Sequence, residues 1–351
     1  MNERDPVSGK LDGANVVRSS AGFGCARLVD ISDRKERLAL LNSALDAGIF
    51  HFDTAPMYGY GNSERELGEF VRGRREGIIL TTKFGIEPTV LGRQVGSHRR
   101  FIRTGRTILR RTGLAFNATR SESIIALSQE EDFREPPTPG IVDRVLNKRV
   151  GYAIDVATKS LDLSLRSLKT DYVDCLLLHD PFRDVSGSLP LLSEYLEEER
   201  KRGRIRTWGL SGVVARDLAV GGIDIPVRQF RDDIWDPSSS PQSDAELRIT
   251  YGSIGRLYPA LKTIFQNHPS ERSRWEKELG IEMTSESLAS VLFQGALFRN
   301  VNGVVLFSTT KLSHLLRIAR VAAGERTPNV TESTLEDLVH GLRQRVGGIE
   351  K

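Results

Sequence analysis

The sequence is poor in the residues that build stapled or metal-bound scaffolds. Two cysteines, Cys25 and Cys175, occur in 351 residues, and they form no C-x-x-C pair. That excludes a disulfide framework and fits a reducing, cytoplasmic setting. Both thiols lie in apolar text and are expected to be buried on strands. No H-x-H occurs, so a metal-hydrolase barrel has no ligand pair to start from, and no metal is expected. No apolar run approaches the ~18 residues of a membrane span. The first residues, Met1 to Pro6, are polar and lack the apolar centre of a secretory signal. Basic and acidic residues nearly balance, 50 against 46. Global charge therefore gives no reason to expect nucleic acid, and a basic partner surface would need local clustering. The phosphate loop G-x-G-x-x-G is absent; Gly22-Phe-Gly24 is only a fragment of it.

What is present is alternation. Ser19 to Leu28 reads as a small-residue strand and turn. Arg34 to Ala47 has Leu38, Leu41, Ala44 and Leu45 at helical spacing and stops at Gly48. Ile49 to Asp53 is strand-like. Ser63 to Val71 is helical, with Ser63 as N-cap and Glu66 completing a capping box. Strands follow at Ile78–Lys83, Val173–Leu178, Ile205–Leu210, Val227–Phe230, Arg248–Tyr251 and Gly303–Phe307. Helices are expected at Ile154–Leu168, Leu191–Arg202, one long stretch after Tyr251 through Phe298, Leu312–Ala322 and finally Leu335–Val346. Repeated β then α demands parallel strands with covering helices. About eight such units, without a dinucleotide loop, favour a closed (β/α)8 TIM barrel over an open doubly wound sheet. The chain is read as one barrel over residues 1–351.

Residues 86–148 interrupt the pattern after the third strand. From Pro88 to Ser121 no acidic residue occurs, while Arg93, Arg99, Arg100, Arg103, Arg106, Arg110, Arg111 and Arg120 do. Acidic and proline-rich text follows. An excursion of this length beside the strand ends reads as a flap or lid. Its arginines suit an anionic substrate, and residues 93–120 carry the alternative of binding an anionic polymer or membrane face.

Three strands end in chemistry. Asp53-Thr-Ala-Pro-Met-Tyr58, Thr82-Lys83 and His179-Asp180 each follow an apolar run. In a barrel those ends meet on one rim, which gathers Asp53, Tyr58, Lys83 and His179. A phenol has a pKa of about 10 and is a weak acid near neutrality. An ammonium at about 4 Å, in an effective dielectric of ~20, would favour its phenolate by about 4 kcal/mol, against the cost of desolvation. Tyr58 is thus the expected proton donor or acceptor, Lys83 its activator, Asp53 the anchor of Lys83, and His179 the group that orients a carbonyl. His51 is expected to face the other side of its strand and to be structural.

This text resembles the aldo-keto reductase family. The likeness is carried by Ala47-Gly-Ile-Phe-His-Phe-Asp-Thr-Ala-Pro-Met-Tyr-Gly59, Gly61-Asn-Ser-Glu64, Thr82-Lys-Phe-Gly85, Asp171-Tyr-Val-Asp174, Leu177-Leu-His-Asp-Pro181, Gly203-Arg-Ile-Arg206 and Gly209-Leu-Ser211. It implies a (β/α)8 barrel that uses NADP(H) or NAD(H) without metal, with Asp53, Tyr58, Lys83 and His179 as catalytic tetrad. By the same resemblance Ser211 and Gln229 bind the nicotinamide carboxamide. Gly212 stands where the family has an amide side chain. Asp232 stands where it has a stacking aromatic, with Trp235 the candidate replacement. Ser308 and Thr309 would bind phosphate at a helix N-terminus, and Lys311 and His314 would meet a 2′-phosphate, so NADP(H) is favoured over NAD(H). Leu-Leu-His-Asp-Pro and the Gly-Tyr-Gly-Asn-Ser-Glu loop are similar to the branch that oxidises aldoses or pyridoxal-like alcohols. The expected partner is a small carbonyl or sugar. The alternative is a cofactor-holding regulatory relative with little turnover.

Overall fold

The computed structural model describes residues 19–97, 141–235, 246–255 and 257–346. Eight strands close a parallel barrel: β1 (Ala21–Gly24), β2 (His51–Asp53), β3 (Ile79–Phe84), β6 (Val173–His179), β7 (Ile205–Ser211), β8 (Val227–Arg231), β9 (Leu247–Tyr251) and β10 (Val304–Phe307). The order around it follows the chain, β10 returning to pair with β1. Between β3 and β6 the chain forms β4 (Ile86–Pro88) and β5 (Asn147–Arg149), an antiparallel pair outside the barrel. Helices α3 (Val90–Ser97) and α4 (Ile141–Leu146) flank that pair. Residues 98–140 lie outside the described residues, and with them most of the arginine-rich stretch and of the expected flap.

Strand periodicity sorts the barrel into an inside and an outside. Phe52, Leu80, Leu178, Leu210, Phe230 and Phe307 point outward into the main apolar core. That core also takes Leu41 and Ala44 of α1 (Arg34–Asp46), Leu67 and Phe70 of α2 (Asn62–Val71) and Leu161 of α5 (Ile154–Leu168). Cys175, Leu177, Val227, Ile249, Val304 and Leu306 fill the barrel interior. Asp53, Lys83, His179, Ser211 and Gln229 share the parity of that inner set and lie at the carboxyl ends of their strands, so they form its top layer.

Several local expectations change. His51 shares the parity of Asp53 and faces the barrel interior, where its Nε2 lies 2.8 Å from Thr81 Oγ1. Residues two apart on a strand cannot face opposite ways. Cys25 is buried but opens a 3₁₀ turn, Cys25–Asp30, just past β1. Ser63 does not cap α2: its Oγ donates to Cys25 O at 2.9 Å, and Gly61 precedes the helix. Glu66 accepts from Arg37 Nε at 3.2 Å instead of closing a capping box. The long helix after Tyr251 is three helices, α7 (Leu257–Asn267), α8 (Pro269–Leu279) and α9 (Ser285–Arg299). Pro269 starts a new helix at its first turn, and Gly280, at φ +66°, ends it. These helices and α11 (Glu332–Val346) pack as a second cluster around Trp275, Ile264, Leu292 and Leu338.

Gly68 marks a close approach of α2 to α5. A Cβ there would lie 2.3 Å from Ser167 O and 2.9 Å from Leu168 Cα. In an exposed helix Gly→Ala gains about 1 kcal/mol. Here the sign reverses: Gly68→Ala is expected to lose about 1–3 kcal/mol by overpacking, measured as a lower urea midpoint at unchanged slope.

Candidate active site

Four members of the top layer, Ser211, Gln229, Asp53 and Lys83, form one hydrogen-bonded chain that ends at Tyr58. Lys83 Nζ, on a side chain 1% exposed, donates to Asp53 Oδ1 at 2.7 Å, Thr54 O at 3.0 Å and Tyr58 Oη at 3.4 Å. Those are the three bonds an ammonium can make. The second Asp53 oxygen accepts from Gln229 Nε2 at 2.6 Å, and Gln229 Oε1 accepts from Ser211 Oγ at 2.6 Å. Gln229 and Ser211, expected as cofactor contacts, are thus wired to the carboxylate that holds Lys83.

Tyr58 stands on the turn after β2. Gly59, Tyr60 and Gly61 follow it, all with positive φ. Asn62 Nδ2 donates to Gly59 O at 2.7 Å and to Gly96 O at 2.8 Å, closing the turn and joining it to α3. The expected acidification of Tyr58 does not hold. Withdrawal from water pushes the phenol well above its ordinary value, and the charges of Asp53 and Asp180 push it the same way. Burial is the larger cause; Lys83, at 3.4 Å from Tyr58 Oη and 2.7 Å from Asp53 Oδ1, does not offset it. Tyr58 keeps its proton at neutrality.

The His179 ring meets the Tyr58 ring edge-on, centroids 5.9 Å apart. Its Nδ1 is buried without a partner among the described residues. Burial first, then the charges of Lys83 and Arg149, hold it well below the ordinary histidine value. The imidazole is neutral. Tyr152 Oη donates to His179 O at 2.5 Å, and Arg149 Nη1 to Asp180 O at 2.6 Å, so β5 and the segment after it pin this strand end.

The remaining expected residues gather at the end of β10. Ser308 Oγ donates to Gly24 O at 2.6 Å. Thr309 Oγ1 accepts from Lys311 N at 3.1 Å, at the start of α10 (Leu312–Ala322). Lys311 and His314 are exposed on its first turn. Hydroxyls, free helix N–H groups and two exposed basic side chains fit a phosphorylated cofactor. Asp232 forms a buried ion pair with Arg299, Nε to Oδ2 3.1 Å. Trp235 is taken up by the second apolar cluster, under the Arg343 guanidinium, and does not replace a stacking ring. A cavity of about 330 Å³ between β4, β5 and α3 is lined by Pro88, Val90, Arg93, Gln94 and Lys148 and contains none of the tetrad. Among the described residues no His, Cys, Asp and Glu cluster suits a metal ion.

The sequence motifs include Asp180 but give no role to it or to Tyr251. Tyr251 ends β9 with the same inward parity, and burial also raises its phenol. The signal for both was position: the last residue of a barrel strand, or the one after it.

A closed parallel barrel with a polar layer at the carboxyl ends of its strands is the architecture of (β/α)8-barrel proteins. The sequence model of the aldo/keto reductase family matches residues 21–221, and the chain belongs to that family. A D-threo-aldose 1-dehydrogenase of a Pseudomonas species is 28% identical over 224 residues, 62% of this chain and 56% of that enzyme. The chain thus spans little more than half the length of this curated relative. A holo aldo-keto reductase structure from Bacillus halodurans superposes with a TM-score of 0.63 at 19% identity, covering 95% of both chains. A Klebsiella pneumoniae aldo/keto reductase in complex with NADP and acetate gives 0.54 at 17% identity, covering 91% of this chain and 89% of the other.

Two outcomes follow from the buried network. Asp53→Asn leaves an ammonium without its counter-charge and is expected to cost about 3–5 kcal/mol in urea unfolding. His179 binds a proton more readily unfolded than folded. Its contribution is therefore complete above the ordinary value of 6.5 and is lost as pH falls below it. His179→Gln should flatten the fall in stability between pH 7 and 5, read from unfolding midpoints.

Proposed function

We propose that this chain is a nicotinamide-dependent oxidoreductase that interconverts a carbonyl and an alcohol, with NADP(H) preferred over NAD(H). The observation that carries the reading is Lys83 Nζ between Asp53 Oδ1 and Tyr58 Oη, 2.7 and 3.4 Å away. The bound nicotinamide supplies or accepts the hydride; the proton and the orientation come from the chain.

A carbonyl oxygen lodged between Tyr58 Oη and His179 meets a phenol that still holds its proton and a neutral imidazole. As charge develops on that oxygen, Tyr58 gives up its proton. The phenolate left behind lies beside Lys83, and the ammonium favours it at the moment it forms. Asp53 keeps Lys83 in that position. In the oxidative direction Tyr58 takes the proton back from the alcohol. Ser211 and Gln229 offer polar contacts to a carboxamide. Ser308, Thr309 and the first turn of α10 offer contacts to phosphate, with Lys311 and His314 for a 2′-phosphate.

A sugar lactol and its lactone are the favoured pair, supported by the likeness to the D-threo-aldose dehydrogenase. The 86–148 insertion begins and ends beside this mouth, and its arginines favour a substrate carrying an anionic group. The buried free cysteines accord with a cytoplasmic setting. A second reading, a cofactor-holding relative with little turnover, draws on the Asp232–Arg299 pair where the family resemblance calls for an aromatic.

The test is nicotinamide absorbance with a panel of aldoses and aldehydes. Multiple turnovers are expected and would remove the second reading; no turnover with any substrate removes the first. Tyr58→Phe should lower kcat by about 10²–10⁴-fold, the range of a lost proton donor, while cofactor binding persists.

A further inference from the structure

Gly212 and Asp180 share one volume. Gly212 has φ +115° and ψ −164°, a conformation that side chains rarely adopt. A Cβ there would stand 2.1 Å from Asp180 Oδ1 and 2.9 Å from Asp180 Cα. Position 212 has no side chain, and the Asp180 carboxyl group fills its place. Two backbone bonds fix the exchange: Asp180 N donates to Ser211 O at 2.7 Å, and Gly212 N to Gln229 O at 2.9 Å. Asp180 itself is held at φ +47°, a strained setting for a residue with a side chain.

Among the described residues the carboxylate is unmatched. Asp53, the other acid of this layer, is bonded by Lys83 and Gln229. The Asp180 carboxylate has no hydrogen-bond or ion-pair partner among the described residues; Lys83 and Arg149 act on it only through their fields. Burial works against its charge and pushes the carboxyl above its ordinary value. A half-buried, unpaired carboxylate beside a reaction centre is completed by a ligand that is cationic or donates hydrogen bonds.

The proposed function, on which this inference rests, supplies such a ligand. Any hydride partner of a carbon held by Tyr58 and His179 lies beside that carbon, and so beside the residue that follows His179. A nicotinamide ring is a pyridinium cation when oxidised and neutral when reduced. We propose that the Asp180 carboxylate faces the cofactor from the place of the missing 212 side chain and binds the oxidised nicotinamide in preference to the reduced one.

The readout is binding. The full chain is titrated by calorimetry with NADP+ and with NADPH, and then with NAD+ and NADH. In Asp180→Asn the Kd for the oxidised form should rise about tenfold, as expected for the loss of one nearby charge in a partly desolvated site, and that for the reduced form by less than about twofold. Equal changes in both, or none, overturn the proposal. So does a variant that raises substrate KM while the ratio of the two cofactor affinities stands still, since the carboxylate then serves the substrate. Asp180→Ser, smaller and free of any clash with Gly212, carries the same expectation should the asparagine variant fail to fold. A wild-type chain that binds no nicotinamide nucleotide removes the proposed function and this inference with it. A wild-type chain that binds both forms, with a ratio the variants do not shift, removes the inference alone.

Discussion

One ion pair inside the barrel governs the rest. Lys83 is buried, and an ammonium withdrawn from water is tolerated only with a counter-charge and a full set of acceptors. Asp53, Thr54 O and Tyr58 provide them. Asp53 in turn has a second oxygen to satisfy, which draws in Gln229, and Gln229 draws in Ser211. The arrangement is self-consistent: removing any member exposes a buried polar group on the next. It also fixes the phenol's state. Burial beside the pair, together with the Asp53 charge, pushes the phenol well above its ordinary value, so the hydroxyl keeps its proton at neutrality.

The pair can exist because the barrel separates its surfaces by parity. Outward residues such as Phe52, Leu178 and Phe230 build the apolar layer beneath the helices. Inward residues fill the lumen with aliphatic side chains below and polar ones above. The polar layer is therefore rimmed by backbone fully paired in strands, and its side chains come from rigid ends rather than loops. Tyr58 is the exception, placed by a turn, and that turn is the one held by an amide clamp.

Much of this was legible in the text, and the failures have physical causes. Strand positions were readable because buried parallel strands are near-continuous apolar runs. The grouping of Asp53, Tyr58, Lys83 and His179 on one rim was readable because the segments that carry them follow such runs. His51 was assigned to the wrong face although alternation alone would have corrected it. Ser63 and Glu66 looked like a capping box, but tertiary partners, Cys25 O and Arg37, outbid the local motif. The three helices after Tyr251 merged into one because Pro269 is also compatible with a helix start, and only the fold shows where one begins. The phenol's direction of shift was not legible, since the sequence names Lys83 and Asp53 but not which neighbour the ammonium prefers. Asp180 was not legible because its carboxyl group occupies space left open by Gly212, just past the adjacent strand, a juxtaposition only the fold shows.

Asn62 deserves a last consequence. A single amide holds the carbonyls of Gly59 and Gly96, one on the turn that presents Tyr58, the other on the first helix of the excursion after β3. The two segments are thirty-seven positions apart in numbering yet share a leash. Exchanging the excursion for one of different length, as a protein engineer would do to alter substrate preference, is thus not a modular graft. The replacement must bring its own carbonyl to that amide, or the turn that carries Tyr58 loses its mooring.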